Sequence, residues 1–132
     1  MEAASSYTEL RRAEAISAKR LYAVDAVCPP SAPVADIDTV AELATAAVRA
    51  GGGHVLDRSE VVFPNGAITL VLVLAESHLS IHTWPEESLI AIDLFSCGSI
   101  DGRRVLEELT TALRLERVSL TEVERGLPGP AA

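Results

Sequence analysis

The chain has 132 residues, of which 48% are hydrophobic and only 4% aromatic, and its formal net charge is −8 at pH 7. This length suits a single domain, whose core must be packed mainly by Val, Ile, Leu and Ala. The acidic balance argues against nucleic acid as a partner, because phosphate binding needs clustered Lys and Arg, and it suits either a cationic ligand or an ordinary solvated surface.

Features of membrane and secreted proteins are not expected in this sequence. The apolar stretch at 67–75 is much shorter than the roughly 20 residues that a membrane-spanning helix needs. The first residues lack a basic region followed by an apolar one, so no secretory signal peptide is predicted. Cys28 and Cys97 are expected to stay reduced in the cytoplasm, which is the predicted location.

The first third of the chain is predicted to hold one strand and one helix. Residues 1–19, rich in Ala, Ser and Glu, are expected to form a mobile arm ahead of a single domain over 20–126. A strand at 20–27 is followed by a proline-rich loop, which excludes regular pairing. A helix is predicted at 38–50, with Asp38 as its expected cap and three glycines at its end.

The middle of the chain is predicted to consist of hairpins. Strands at 54–63 and 67–74 flank the Pro64-Asn65-Gly66 turn, and Asn-Gly between two β-type runs is a strong hairpin signal. The remaining predicted elements are strands at 79–83 and 89–95, a helix at 101–113 capped by Asp101, a strand at 117–123 and a disordered tail at 127–132. The order β-α-β-β-β-β-α-β predicts an α+β fold, a two-layer sandwich of a mainly antiparallel sheet with two helices on one face.

Residues 76–86 carry far more reactive side chains than an ordinary strand. They read ESHLSIHTWPE, with two histidines, several hydroxyls, a tryptophan and two carboxylates. Around Ser77, the hydroxyl of Thr69 lies eight residues before, His82 five after and Cys97 twenty after. Taken singly, Thr69 is an ordinary strand residue and Cys97 an ordinary small buried residue. Their combination at this spacing is what points to chemistry.

This segment resembles the self-cleavage site of the small prokaryotic S-adenosylmethionine decarboxylases, and the resemblance extends over about 21–126. It implies a proenzyme that is cut between Glu76 and Ser77 into a β chain (1–76) and an α chain (77–132). Ser77 then becomes a pyruvoyl cofactor. Because the family's active sites lie between two protomers, the resemblance also implies a homodimer of cleaved protomers.

The family's motif assigns a role to each matched residue. Ser77 attacks the Glu76 carbonyl carbon, and His82 is the base for the β-elimination that follows. Thr69, where the family usually has a serine, helps to stabilise the cyclic intermediate. Cys97 protonates the substrate carbon after carbon dioxide leaves. The ketone of the pyruvoyl group forms a Schiff base with the substrate's amino group and accepts the electrons of the departing carboxylate.

The resemblance also implies how a cationic amino-acid substrate is bound. Phe63 and Trp84 match the aromatic positions that sandwich the adenine, and either ring attracts a sulfonium cation. Glu86 is the candidate acceptor for the ribose hydroxyls. Without the resemblance, the two aromatic residues would be interpreted as core residues. The expected product is decarboxylated S-adenosylmethionine, the aminopropyl donor for spermidine synthesis.

Two other functions stay open. Residues 87–89 read ESL where the family usually has an aromatic residue, glycine and an aromatic residue. Glu87 could hold a guanidinium or ammonium group, so the first alternative is the same cofactor chemistry on arginine or ornithine. The second is a non-cleaving homologue that acts as a binding or regulatory subunit, which the joint presence of Ser77, His82 and Cys97 disfavours.

No metal site is predicted. His78 and His82 are four residues apart on a predicted strand and share a face only if the strand is regular. His78 is interpreted as a hydrogen-bonded residue of the sheet, and His54 as a surface or strand-edge residue.

Overall fold

The structure, a computed structural model, describes residues 18–127. The predicted mobile arm and disordered tail fall almost wholly on 1–17 and 128–132, outside the described residues. Within the described range the chain forms six strands and two helices in the predicted order. They are β1 (Lys19–Val27), α1 (Ile37–Ala50), β2 (Val55–Val62), β3 (Ile68–Leu74), β4 (Ser77–Trp84), β5 (Leu89–Cys97), α2 (Gly102–Ala112) and β6 (Glu116–Arg125).

All six strands join one antiparallel sheet in the order β2-β3-β4-β5-β1-β6. The β2–β3 hairpin turns at the predicted Asn-Gly, where Gly66 has a φ of 87° that suits glycine. A tight turn of two residues joins β3 to β4, and a short 3₁₀ turn, Pro85–Glu87, precedes β5. β4 therefore lies inside the sheet between β3 and β5, where both of its edges are paired.

The two helices contact each other and cover one face of the sheet, so the predicted α+β sandwich is confirmed. Each helix buries one stripe of small aliphatic residues, as its helical spacing predicts. In β1, β3 and β5, burial alternates with a period of two, so that every second side chain faces the helices. The main strand residues of this core are Val24, Ile68, Leu70, Leu72, Leu79, Ile81, Ile90, Ile92 and Leu94.

The other face of the sheet, here termed the open face, has no helix over it among residues 18–127. Cross-strand partners share a face, so the register defines its members. They include Val61, Thr69, Val71, Val73, His78, Ser80, His82, Ala91, Asp93, Phe95, Leu21 and Val123. Several of the aliphatic residues, such as Val61, Val73 and Val123, are exposed. The open face thus mixes apolar side chains with candidate catalytic ones.

The residue that caps the N-terminus is the predicted one for α2 but a different one for α1. The Asp101 side chain caps α2 as predicted, accepting the N–H of Arg104 at 3.1 Å. The prediction that Asp38 caps α1 is wrong, because Asp36 accepts the N–H of Asp38 at 3.2 Å. Asp36 has the extended backbone that a cap requires, whereas Asp38 already lies in the first turn. Neither described helix is long and apolar enough to cross a membrane.

Candidate active site

The backbone is strained at the point that the sequence marks for cleavage. Ser77 has a φ of 131°, in a region that residues other than glycine rarely adopt. It is held there because it begins β4 and is paired with Leu74 on β3 and Ser96 on β5. Such strain persists only where surrounding structure imposes it, and it is frequent at functional sites.

The carbonyl group that precedes Ser77 is in contact with a thiol. Cys97, the last residue of β5, has its Sγ 3.5 Å from the carbonyl oxygen of Glu76, to which it donates. Cys97 is only 5% exposed. The structure therefore brings together three residues that the sequence predicted for one site, and we term Glu76, Ser77 and Cys97 the cleavage group.

The side chain of Glu76 is also held, although it is only 2% exposed. Its Oε1 accepts the backbone N–H of His54 at 2.9 Å, and its Oε2 lies 2.7 Å from Nδ1 of the same residue. The His54 ring is 52% exposed, which agrees with the surface or strand-edge interpretation. Its contact with Glu76 has no signal in the sequence, because the two residues are 22 positions apart and only the β2–β3 register brings them together.

A second set of predicted residues lies on the open face. Thr69 on β3 is directly opposite His82 on β4, and the Thr69 Oγ1 is 3.2 Å from the His82 Nδ1. The ring of Trp84 lies beside that of His82, with 6.2 Å between ring centroids. The hydroxyl can therefore orient the imidazole, as a partner of a general base should.

A cavity of about 520 Å³ opens beside this pair. Phe63 and Trp84 line it and are 45% and 41% exposed, so the alternative interpretation of both as core aromatic residues is wrong. Glu86 lies near its edge and accepts a hydrogen bond from Asn65 Nδ2, a lining residue, at 3.0 Å. We term Phe63, Thr69, His82, Trp84 and Glu86 the pocket group.

The cleavage group and the pocket group lie at opposite ends of β4. Ser77 is the first residue of this strand and Trp84 the last. His82 is five positions after Ser77, which corresponds to about 16 Å along an extended strand. This distance is too long for the imidazole to remove a proton from Ser77 of the same chain. One chain therefore carries both halves of the predicted site without joining them.

The other histidine and cysteine have surroundings that suit structural roles. The His78 ring stacks on Phe95 with 6.1 Å between centroids, and the Arg125 guanidinium lies 5.5 Å from the Phe95 centroid. Burial raises the pKa of the Cys28 thiol, which makes it a poor nucleophile at neutral pH. Residues 18–127 contain no group of three or more His, Cys, Asp or Glu side chains that could hold a metal ion.

Comparison with known proteins places these features in one family. Residues 20–126 match the family model described as S-adenosylmethionine decarboxylase. The S-adenosylmethionine decarboxylase proenzyme of Thermotoga maritima is 43% identical over 86 residues, 64% of this chain and 65% of the relative. The proenzyme of Pseudomonas aeruginosa is 36% identical over 95 residues, 71% of this chain and 59% of the relative.

A solved structure agrees with the sequence relatives. The crystal structure of the adenosylmethionine decarboxylase from Aquifex aeolicus is similar with a TM-score of 0.73 at 26% identity, over 85% of this chain and 93% of that one. The chain spans less than two thirds of the length of the two curated relatives, at 65% and 59%. The family model, by contrast, covers nearly the whole described range. This chain belongs to the S-adenosylmethionine decarboxylase family.

Proposed function

We propose that the chain is a self-processing, pyruvoyl-dependent decarboxylase of S-adenosylmethionine. Its product would be decarboxylated S-adenosylmethionine, the aminopropyl donor for spermidine synthesis. The observation that carries the proposal is the cleavage group, in which a strained serine follows a carbonyl group that a buried thiol contacts. Such strain clusters at functional sites, and here it falls beside the peptide bond that the family's motif marks for cleavage.

The proposed cleavage makes an N-terminal chain of 1–76 and a C-terminal chain of 77–132. The Ser77 Oγ attacks the Glu76 carbonyl carbon, and the C–N bond breaks, leaving an ester to Ser77 and a free amino group. A base then removes the Cα proton of Ser77, and the Cβ–O bond breaks with its electrons on the Glu76 carboxylate. The dehydroalanine that remains takes up water and loses ammonia, which leaves a pyruvoyl group.

The residues around position 77 fit a pyruvoyl group. When present, that group supplies a keto carbonyl for the substrate's amino group and an electron sink for decarboxylation. Pairing with β3 and β5 fixes Ser77 from both sides, so the strand end stays in place when the bond before it is cut. Cys97 lies against the same peptide and can deliver a proton there, because it is buried and adjacent.

The separation of the two groups supports a homodimer as the active form. In an isologous dimer formed through the open face, the two β4 strands would run in opposite directions. The pocket group, at one end of β4 in one chain, would then lie opposite Ser77, at the other end of β4 in its partner. Exposed apolar side chains on the open face, among them Val61, Val73 and Val123, are of the kind that such an interface buries. Thr69 and His82 would then serve the partner's cleavage group.

The cavity supports S-adenosylmethionine as the substrate. Phe63 and Trp84 offer two exposed aromatic surfaces for a flat base and a sulfonium cation. Glu86, held by Asn65, would accept hydrogen bonds from ribose hydroxyls. Glu87, which motivated arginine or ornithine as alternatives, is exposed and does not line the cavity. S-adenosylmethionine, which carries an aromatic base, therefore fits these residues better than arginine or ornithine does.

A cytoplasmic location belongs to the same proposal. Proton delivery by Cys97 needs a reduced thiol, and no disulfide joins Cys28 and Cys97, both of which lie in the described range. The cytosol keeps thiols reduced. Fractionation of cells that express the chain would test this location.

The first experiment is the denatured intact mass of freshly purified protein. We expect two fragments that divide between Glu76 and Ser77. The C-terminal fragment should be lighter by one ammonia than a peptide beginning with serine, and should resist N-terminal sequencing. A single whole chain after long incubation would contradict the proposal and favour a binding or regulatory subunit. Carbon dioxide release from S-adenosylmethionine, arginine and ornithine, assayed in parallel, would then identify the substrate.

A further inference from the structure

We infer that His54 is a positioning residue for self-cleavage, which holds the residue on the N-terminal side of the scissile bond. This inference rests on the proposed function, because it concerns the same peptide bond. His54 forms its hydrogen bonds with Glu76 and with the backbone of Ala75. Its contribution is to fix Glu76, whose carbonyl carbon is the point of attack.

Three hydrogen bonds tie the residues before the scissile bond to His54. The N–H of Ala75 donates to the His54 carbonyl oxygen at 2.9 Å. The His54 N–H donates to Glu76 Oε1 at 2.9 Å, and Nδ1 of its ring lies 2.7 Å from Oε2. A carboxylate oxygen accepts, so the ring must carry its proton on Nδ1 in this contact. Both oxygens of a nearly inaccessible carboxylate are thereby engaged, as burial requires.

The scissile bond therefore lies between two separately anchored segments. On its N-terminal side, Glu76 is anchored to the start of β2 through His54. On its C-terminal side, Ser77 is anchored to β3 and β5 through the sheet. The positive φ of Ser77 is the conformation that these two anchors impose on the short link between them. If Glu76 were released, the link could relax and its carbonyl carbon would move relative to the Ser77 hydroxyl.

The contacts between His54 and the Glu76 side chain do not involve the peptide bond between Glu76 and Ser77, which is the bond that breaks. Glu76 becomes the last residue of the N-terminal chain on cleavage, and its side chain can stay bound to His54. Cys97 Sγ can also stay near the Glu76 carbonyl carbon, which becomes part of the new carboxylate. We therefore expect His54 to affect the rate of cleavage and to have little influence on the fold of the cut protein.

The test measures cleavage rate and does not depend on decarboxylation. Full-length chains carrying His54→Ala or His54→Asn are made by cell-free synthesis beside the wild type, quenched in denaturant at intervals and separated by mass. We expect His54→Ala to slow cleavage by about tenfold to a hundredfold, the usual cost of a misplaced reacting group. His54→Asn should stay within about threefold of wild type, because its Nδ2 can replace Nδ1 as the donor to Oε2.

The control variant is Arg49→Ala, an exposed change in the last turn of α1, which should cleave at the wild-type rate. If the wild-type chain is cleaved and the His54→Ala chain is cleaved at the same rate, the inference is overturned and the proposed function stands. A His54→Asn chain as slow as His54→Ala would also overturn it, because the hydrogen bond would then not be the cause. A wild-type chain that never cleaves would overturn both proposals together.

Discussion

At the scale of single residues, the proposed mechanism divides two tasks within the cleavage group: cleavage of the backbone, assigned to Ser77, and later delivery of a proton, assigned to Cys97. Ser77 contributes the hydroxyl and the strained backbone, and both are needed before the bond breaks. The thiol of Cys97 is a weak hydrogen-bond donor at 3.5 Å from Glu76 O, so it adds little to the stabilisation of an oxyanion. Its burial beside position 77 suits the later delivery of a proton.

Substitutions at these two positions should therefore have different effects. Ser77→Ala should leave a whole chain with no carbon dioxide release. Cys97→Ala should be cut normally, yet release carbon dioxide from S-adenosylmethionine at least about 10²-fold more slowly, as expected when a general acid is lost. Intact mass measures the first property, and release from carboxyl-labelled substrate measures the second.

Cys28→Ala is the matched control, because Cys28 lies outside both groups of site residues. It should be cut and should turn over like the wild type. A Cys97→Ala chain that stays whole would show that the thiol is needed for processing, contrary to the role proposed for it.

The resemblance to the family's motif predicted Ser77, His82 and Cys97, which lie on two neighbouring strands of the sheet. It could not predict the contact of His54 with Glu76, which depends on how the two ends of a hairpin are paired. The sequence also does not reveal how far apart Ser77 and His82 lie in space. Five residues look close in a sequence, but in an extended strand they are about 16 Å apart.

At the scale of elements, the strand ends that carry chemistry were the hardest to predict. β4 and β5 extend to Ser77 and Cys97, beyond the predicted 79–83 and 89–95. Polar residues at these ends break the apolar alternation, so the sequence signal stops early. Pairing of β4 with β3 and of β5 with β1 continues the strands past that point. The helices and the Asn-Gly hairpin were predictable because their signals are local.

The contact between the helices depends on Gly51, which follows the last residue of α1. A Cβ atom there would lie 2.7 Å from the backbone oxygen of Asp101 and would clash with Val105 Cγ2. The Gly51 φ of −87° is open to alanine, so any penalty is steric. We expect Gly51→Ala to lower the free energy of unfolding by about 1–3 kcal/mol, the usual cost of overpacking.

Urea denaturation, followed by circular dichroism, measures this change. The comparison is Arg49→Ala in the last turn of the same helix, where an exposed substitution should change stability by less than about 0.5 kcal/mol. A Gly51→Ala protein as stable as the wild type would mean that the two helix ends separate at little cost.

At the scale of the whole molecule, the fold leaves one face of its sheet open over the described residues, and part of the predicted site lies on that face. Helices α1 and α2 bury the aliphatic side of the sheet, whereas the open face carries Thr69, His82 and exposed valines. These exposed valines form an apolar surface that the described fold leaves unburied. A second copy would cover that surface and complete the site in one step.

Mixed dimers test whether His82 acts on the partner chain. Chains with Ser77→Ala and His82→Ala carry different tags, are expressed together, and are purified through both tags. In the mixed dimer the His82→Ala chain should be cut and form the blocked C-terminal fragment, because in the proposed dimer its Ser77 would lie opposite the intact His82 of the Ser77→Ala chain. The same variant expressed alone should form none.

Wild type paired with Ser77→Ala is the control and should be cut in its wild-type chain. If the His82→Ala chain stays whole in the mixed dimer, the base must come from the same chain as Ser77, and the roughly 16 Å that separates them along β4 would have to be closed by a rearrangement of the strand.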